Sequence, residues 1–101
     1  GTSDQPQYAT YVVPLGYSMT RAACYASAGE CNVYSGSPLN SINSTAKSAI
    51  AVQSSAGNCA TFTTLDTSVV ADGCGAYVIV EWVPNATADG FYGAGLVMES
   101  V

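Results

Sequence analysis

Four cysteines and no histidine in a chain of 101 residues set the tightest limit on what this sequence can become. Cys24, Cys31, Cys59 and Cys74 are separated by six, twenty-seven and fourteen residues. None of these gaps is the short knuckle from which a zinc site is built, and there is no histidine to complete one. An even number of cysteines in a small, lysine-poor domain predicts two disulfides, and with them an oxidising, extracellular compartment. The length predicts one domain over residues 1–101, burying roughly 65% of the surface of the unfolded chain.

Charge narrows the partners. Arg21 and Lys47 are the only cations against seven acids, a net charge of −5. Such a chain does not neutralise a row of phosphates, which argues against nucleic acid and anionic membrane surfaces as partners. Only 9% of residues are charged, so the surface must be made polar by Ser, Thr, Asn, Gln and Tyr, as is typical of secreted proteins. The apolar run from Ala76 to Val80 is too short to span a bilayer, and no membrane insertion is expected. No signal peptide is read at Gly1, as expected either of a mature form or of a chain whose Gly1–Ser3 is a cloning remnant. Asn43-Ser44-Thr45 and Asn85-Ala86-Thr87 are both valid sequons, making Asn43 and Asn85 candidate glycosylation sites.

The pattern along the chain predicts an α+β fold: an antiparallel sheet of about four strands, with one or two short helices, stapled by two disulfides. Tyr8 to Val13 is rich in β-formers and stops at Pro14. Ser18 as cap, a stripe of Met19, Ala22, Ala23 and Ala26, and Gly29 as left-handed stop predict a helix. Ser37 and Pro38 open a second candidate, with Leu39, Ile42, Ala46 and Ala49 on one face. Its rival is a hairpin of residues 49–55 with 59–65. Asp66 to Gly73 reads as a connector, Ala76 to Val83 as the central strand, and Phe91 to Val101 as the last strand, with a bulge at Gly93 and Gly95. If 59–65 and 76–83 are antiparallel neighbours, Cys59 and Cys74 lie about 20 Å apart, beyond the reach of a bridge. That geometry favours bridges from Cys24 and Cys31 on the helical segment to Cys59 and Cys74. Local pairs 24–31 and 59–74 remain open if the connector carries the chain back.

No catalytic residue, metal site or cofactor is indicated. The lack of histidine removes the usual base of a nucleophilic triad. Glu81 and Glu99 would face each other if 76–83 hairpins with 94–101, at a separation a glycosidase can use, but exposed strand-end carboxylates are the expected reading. Asp72-Gly73 and Asp89-Gly90 read as turns rather than calcium ligands. Phe91, Tyr92 and Trp82 are candidates for a carbohydrate or partner surface, although strand aromatics more often pack internally. The 76–83 strand is apolar on both faces, with Val78, Val80 and Trp82 on one and Tyr77, Ile79 and Val83 on the other. A second protomer could cover the face that the helices do not, which predicts a homodimer through the sheet.

The strings AGNCATFTTLD and ADGCGAYVIVEW, in a Ser/Thr/Ala/Gly-rich, histidine-free chain with four cysteines, resemble the small secreted cysteine-rich proteins of filamentous fungi. The likeness is to elicitor and effector proteins such as those of Trichoderma, and covers the whole chain in size, cysteine number and texture. It implies a protein that is not an enzyme, acting outside the cell on a host or microbial surface protein or glycan and sensed by plant immunity. A cell-wall carbohydrate-binding module and an antifungal killer-type toxin are the alternatives.

Overall fold

A computed structural model describes residues 5–36, 42–54, 62–71 and 76–101, with side chains for all of these except 42–47. Eight strands are found: β1 (Gln7–Val13), β2 (Tyr17–Ala26), β3 (Glu30–Gly36), β4 (Ile42–Ile50), β5 (Val52–Gln53), β6 (Thr63–Val70), β7 (Ala76–Val83) and β8 (Phe91–Ser100). There is no helix among the described residues, which overturns the α+β expectation: the fold is all-β. One sheet runs β1-β7-β3-β4, antiparallel throughout. The other is built on β2. There β8 takes one edge, while β6 and the short parallel β5 pair with different stretches of β2 and so share the opposite edge. Buried residues from both sheets form a single core, among them Val13, Met19, Cys24, Val33, Leu65, Val78, Val80 and Trp82. The sheets are also tied at both flanks. Tyr11 donates to the Ala94 carbonyl at 3.0 Å, and the Asp66 N–H to Ser48 Oγ at 2.9 Å.

The helix expected at Ser18–Gly29 is strand β2 and the turn after it. The pattern misled because β2 carries a bulge. Met19 pairs with Met98 and Arg21 with Val97, so Thr20 is an extra residue that shifts the alternation by one. Met19 faces the core before the bulge; Ala22, Cys24 and Ala26 face it afterwards. A three-residue step followed by even steps imitates a helical stripe. The second expected helix is likewise corrected: residues 37–41 lie outside the described residues, and the remainder is strand β4. Among the described residues the rival hairpin is not found either, since β5 and β6 both pair with β2 rather than with each other; residues 55–61 lie outside the described residues. The connector expected at 66–73 is strand to Val70. The expectations for β1, β7 and β8 agree with the structure to within a residue.

Cys24 is bonded to Cys31, with Cα atoms 6.5 Å apart. This overturns the expected bridges from Cys24 and Cys31 to Cys59 and Cys74. Between β2 and β3 the chain crosses from one sheet to the other, and both cysteines point into the core across that crossing. The premise behind the expected pairing also fails, because β6 and β7 belong to different sheets. The crossing is pressed against Trp82, whose indole N–H donates to the Ala28 carbonyl at 2.7 Å. Gly29 takes φ +110, and a Cβ there would stand 2.5 Å from the Val83 carbonyl oxygen. Glycine is needed on both counts. Cys59 and Cys74 lie outside the described residues. Non-reducing peptide mapping is expected to show a 24–31 link, and any link from Cys24 or Cys31 to Cys59 or Cys74 would contradict the crossing described here.

Candidate interaction surface

Strand β7 alternates strictly: Ala76, Val78, Val80 and Trp82 are buried, while Tyr77, Ile79, Glu81 and Val83 are half-buried and point outward. Its neighbours extend that outward face in rows set by the register. Tyr8, Glu81, Asn32 and Ala49 form one row; Thr10, Ile79 and Tyr34 form the next; Val12 and Tyr77 stand in a third. Tyr8 is 58% exposed and Val12 48%. The result is an aromatic and aliphatic face with a few fixed polar groups. A depression of about 280 Å³ continues it past Asn32 and Ala49, lined also by Glu30, Cys31, Ile50 and Val52.

Glu81 is not the solvated, partnerless strand-end carboxylate the sequence suggested. It is half-buried in the middle of the sheet, and Tyr34 donates its hydroxyl to Glu81 Oε1 at 3.1 Å. The two are diagonal neighbours across the β3–β7 pair, within reach of an aromatic side chain. Burial, and next the Glu81 carboxylate that accepts its hydrogen bond, hold the Tyr34 hydroxyl above the usual tyrosine range. The face therefore presents an oriented acceptor flanked by two tyrosines and an asparagine, a set that can hydrogen-bond a partner and stack on it.

Glu81 and Glu99 do not face each other, because β7 and β8 lie in different sheets and Glu99 pairs across from Ser18. The hairpin that would have made them a carboxylate pair does not exist. Among the described residues no three histidine, cysteine or acidic side chains gather into a metal-holding group. Asp89 closes a turn, accepting the backbone N–H groups of Asn85 and Ala86 at 2.9 Å each. Asp72 and Gly73 lie outside the described residues.

Of the aromatics singled out in the sequence, Trp82 is fully buried and stacks on Phe91 with ring centroids 5.7 Å apart. Phe91 is half-buried beneath it, and Tyr92 alone stands out, 67% exposed, at a bulge in β8. These three do not form a platform. The tyrosines that share a face are Tyr8, Tyr34 and Tyr77, and their odd and even places on β7, β1 and β3 were the available signal. A second exposed apolar group, Leu15, Tyr17, Val70 and Val101, lies where β1 turns into β2; there Val101 and Ala71 donate backbone N–H groups to the Gly16 and Tyr17 carbonyls. Asn85 is exposed; Asn43 lies on β4, where its backbone pairs with Ser35. Compared with protein-family models, curated proteins and solved structures, the chain matches none of them.

Proposed function

We propose that this is a secreted, non-catalytic recognition protein of the elicitor or effector type, acting between a fungus and a plant and meeting its partner with the outward face of the first sheet. The observation that supports this is the face itself: Tyr8, Val12, Tyr34, Tyr77 and Ile79 around Glu81. Tyrosine-rich, lysine-poor patches are typical of the cores of protein interfaces. The disulfide is compatible with an extracellular life. Purified oxidised protein infiltrated into leaves is expected to induce defence markers, and reduced, alkylated protein to induce none. Silence from the oxidised protein would remove the elicitor reading. A full response from a folded Tyr8→Ser, Val12→Ser double variant would move the contact elsewhere.

A second reading, a cell-wall carbohydrate module, is favoured by the Tyr34–Glu81 hydrogen bond beside Tyr8. A ring face and a fixed carboxylate acceptor are what a pyranose needs. Retention on chitin or glucan tests it, and passage through both columns removes it. A second copy of the chain competes for the same face. Sedimentation that stays monomeric across the concentrations assayed would exclude the homodimer.

A further inference from the structure

We infer that Asn85 is an N-glycosylation site, with its glycan carried at the end of the sandwich where β7 gives way to β8. The inference rests on the extracellular reading above, because the transferring enzyme works on the secretory route. Asn85-Ala86-Thr87 has the required order, with no proline in the middle. Asn85, Ala86, Thr87 and Ala88 are all exposed. The turn is closed without the Asn85 carboxamide. The Asn85 and Ala86 N–H groups donate to Asp89 Oδ2 at 2.9 Å, and the Asp89 N–H to the Ala86 carbonyl at 3.0 Å.

The base of the turn is pinned. Ser27 donates its N–H to the Gly90 carbonyl at 2.8 Å, and Gly90 returns its N–H to Ser27 Oγ at 2.8 Å. The stacked Trp82 and Phe91 rings flank the loop on both sides in sequence. A bulky polar group on Asn85 therefore enters solvent without disturbing a bond that holds the fold. In the transfer, a polyprenyl diphosphate-linked oligosaccharide supplies the sugar. A C1–N bond forms to Asn85 Nδ2, the C1–O bond to the diphosphate breaks, the amide proton passes to the enzyme's base, and the lipid diphosphate leaves.

The test is expression of the full chain behind a secretory leader in a eukaryotic host. Intact masses of the secreted and retained fractions are recorded before and after treatment with a glycan-releasing amidase. The expected result is a mass increment that the amidase removes, leaving aspartate at position 85. Asn85→Gln and Thr87→Ala abolish the glycan at this position, whereas Thr87→Ser and Asn43→Gln keep it. Asn85→Gln retains every backbone bond of the turn, so equal thermal unfolding of the unglycosylated forms separates loss of the site from loss of the fold. An unmodified Asn85 in both fractions overturns the inference. A glycan at Asn85 on a protein that provokes no leaf response leaves the site standing and the elicitor reading fallen; a response from protein with a bare Asn85 does the reverse.

Discussion

On the second sheet the chain covers part of its own outer face. Ala23 is fully buried yet stands apart from the central core, pairing across the ladder with Gly95. The ring of Phe62 lies over that position, 3.3 Å from where a Cβ on Gly95 would stand. Small residues at Ala23 and Gly95 make room, and a large one supplied from just before β6 fills it. On the first sheet nothing among the described residues plays that part: Tyr8 and Val12 stay about half exposed, and Tyr77 and Ile79 are only partly covered. The two outer faces thus differ locally: the second is covered by Phe62 at Ala23 and Gly95, although Val70 on it stays exposed, and the first has no such cover among the described residues. That local contrast is what the proposed contact surface on the first sheet rests on.

The largest way to break this comparison is to unseal the second face. Phe62→Ala is expected to lower stability by about 2 kcal/mol, the usual loss for a buried phenylalanine discounted for its partial exposure. Denaturant unfolding measures it, and binding of an apolar dye should rise. An unchanged midpoint would mean that Phe62 closes nothing. The converse, Gly95→Val, puts bulk under the ring and is expected to cost about 1–3 kcal/mol by overpacking.

A smaller effect is expected from Tyr34→Phe, which removes the hydrogen bond to Glu81 and should cost on the order of 0.5–1 kcal/mol at neutral pH. The variant also has a pH signature. Tyr34 holds its proton more tightly in the fold than in the unfolded chain. Its contribution is therefore whole below the ordinary tyrosine pKa of about 10 and is lost as pH rises through the raised value. Wild type should lose stability more steeply than Tyr34→Phe on the alkaline side. Parallel alkaline profiles would show that the Tyr34–Glu81 contact does not couple to folding.

The smallest change in stability, within about 0.5 kcal/mol, is expected for Tyr8→Ser with Val12→Ser, because both side chains stand largely in solvent. Their effect should appear instead in association or partner binding. A large loss of stability from this pair would mean that the first face is closed after all and would erase the distinction between the two sheets.

Several elements of this fold were legible before the structure. Gln7–Val13 and Ala76–Val83 carry dense β-formers next to proline breaks, Phe91–Ser100 carries fewer around Gly93 and Gly95, and each became a strand close to the expected bounds. Ala76–Val83, read as the central strand, lies between β1 and β3. The stretch 17–26 was misread because one inserted residue, Thr20, turned a strand's alternation into an apparent helical stripe. The weak residues around Asn43 to Ala46 carry no strong preference, and β4 is held to β3 by the pairs on either side of a register break, Ile42 and Asn43 before it and Ser48 to Ile50 after it. The candidate site was half visible. Glu81 stands out in the sequence as the one carboxylate in its strand; Trp82, a candidate for the surface or for internal packing, is buried with Val78 and Val80 on the opposite face.

Taken alone, the sequence determined the charge, the even set of cysteines, the sequons and the alternation of its strongest strands, because these are properties of residue type and local spacing. Which strands became neighbours was decided only in the tertiary structure. Sheet partners are distant in sequence, and what selects them is the shared burial of side chains from β2, β3, β6 and β7 in one core. That choice put Cys24 beside Cys31, parted Glu81 from Glu99, and set Tyr8, Tyr34 and Glu81 together on one open face.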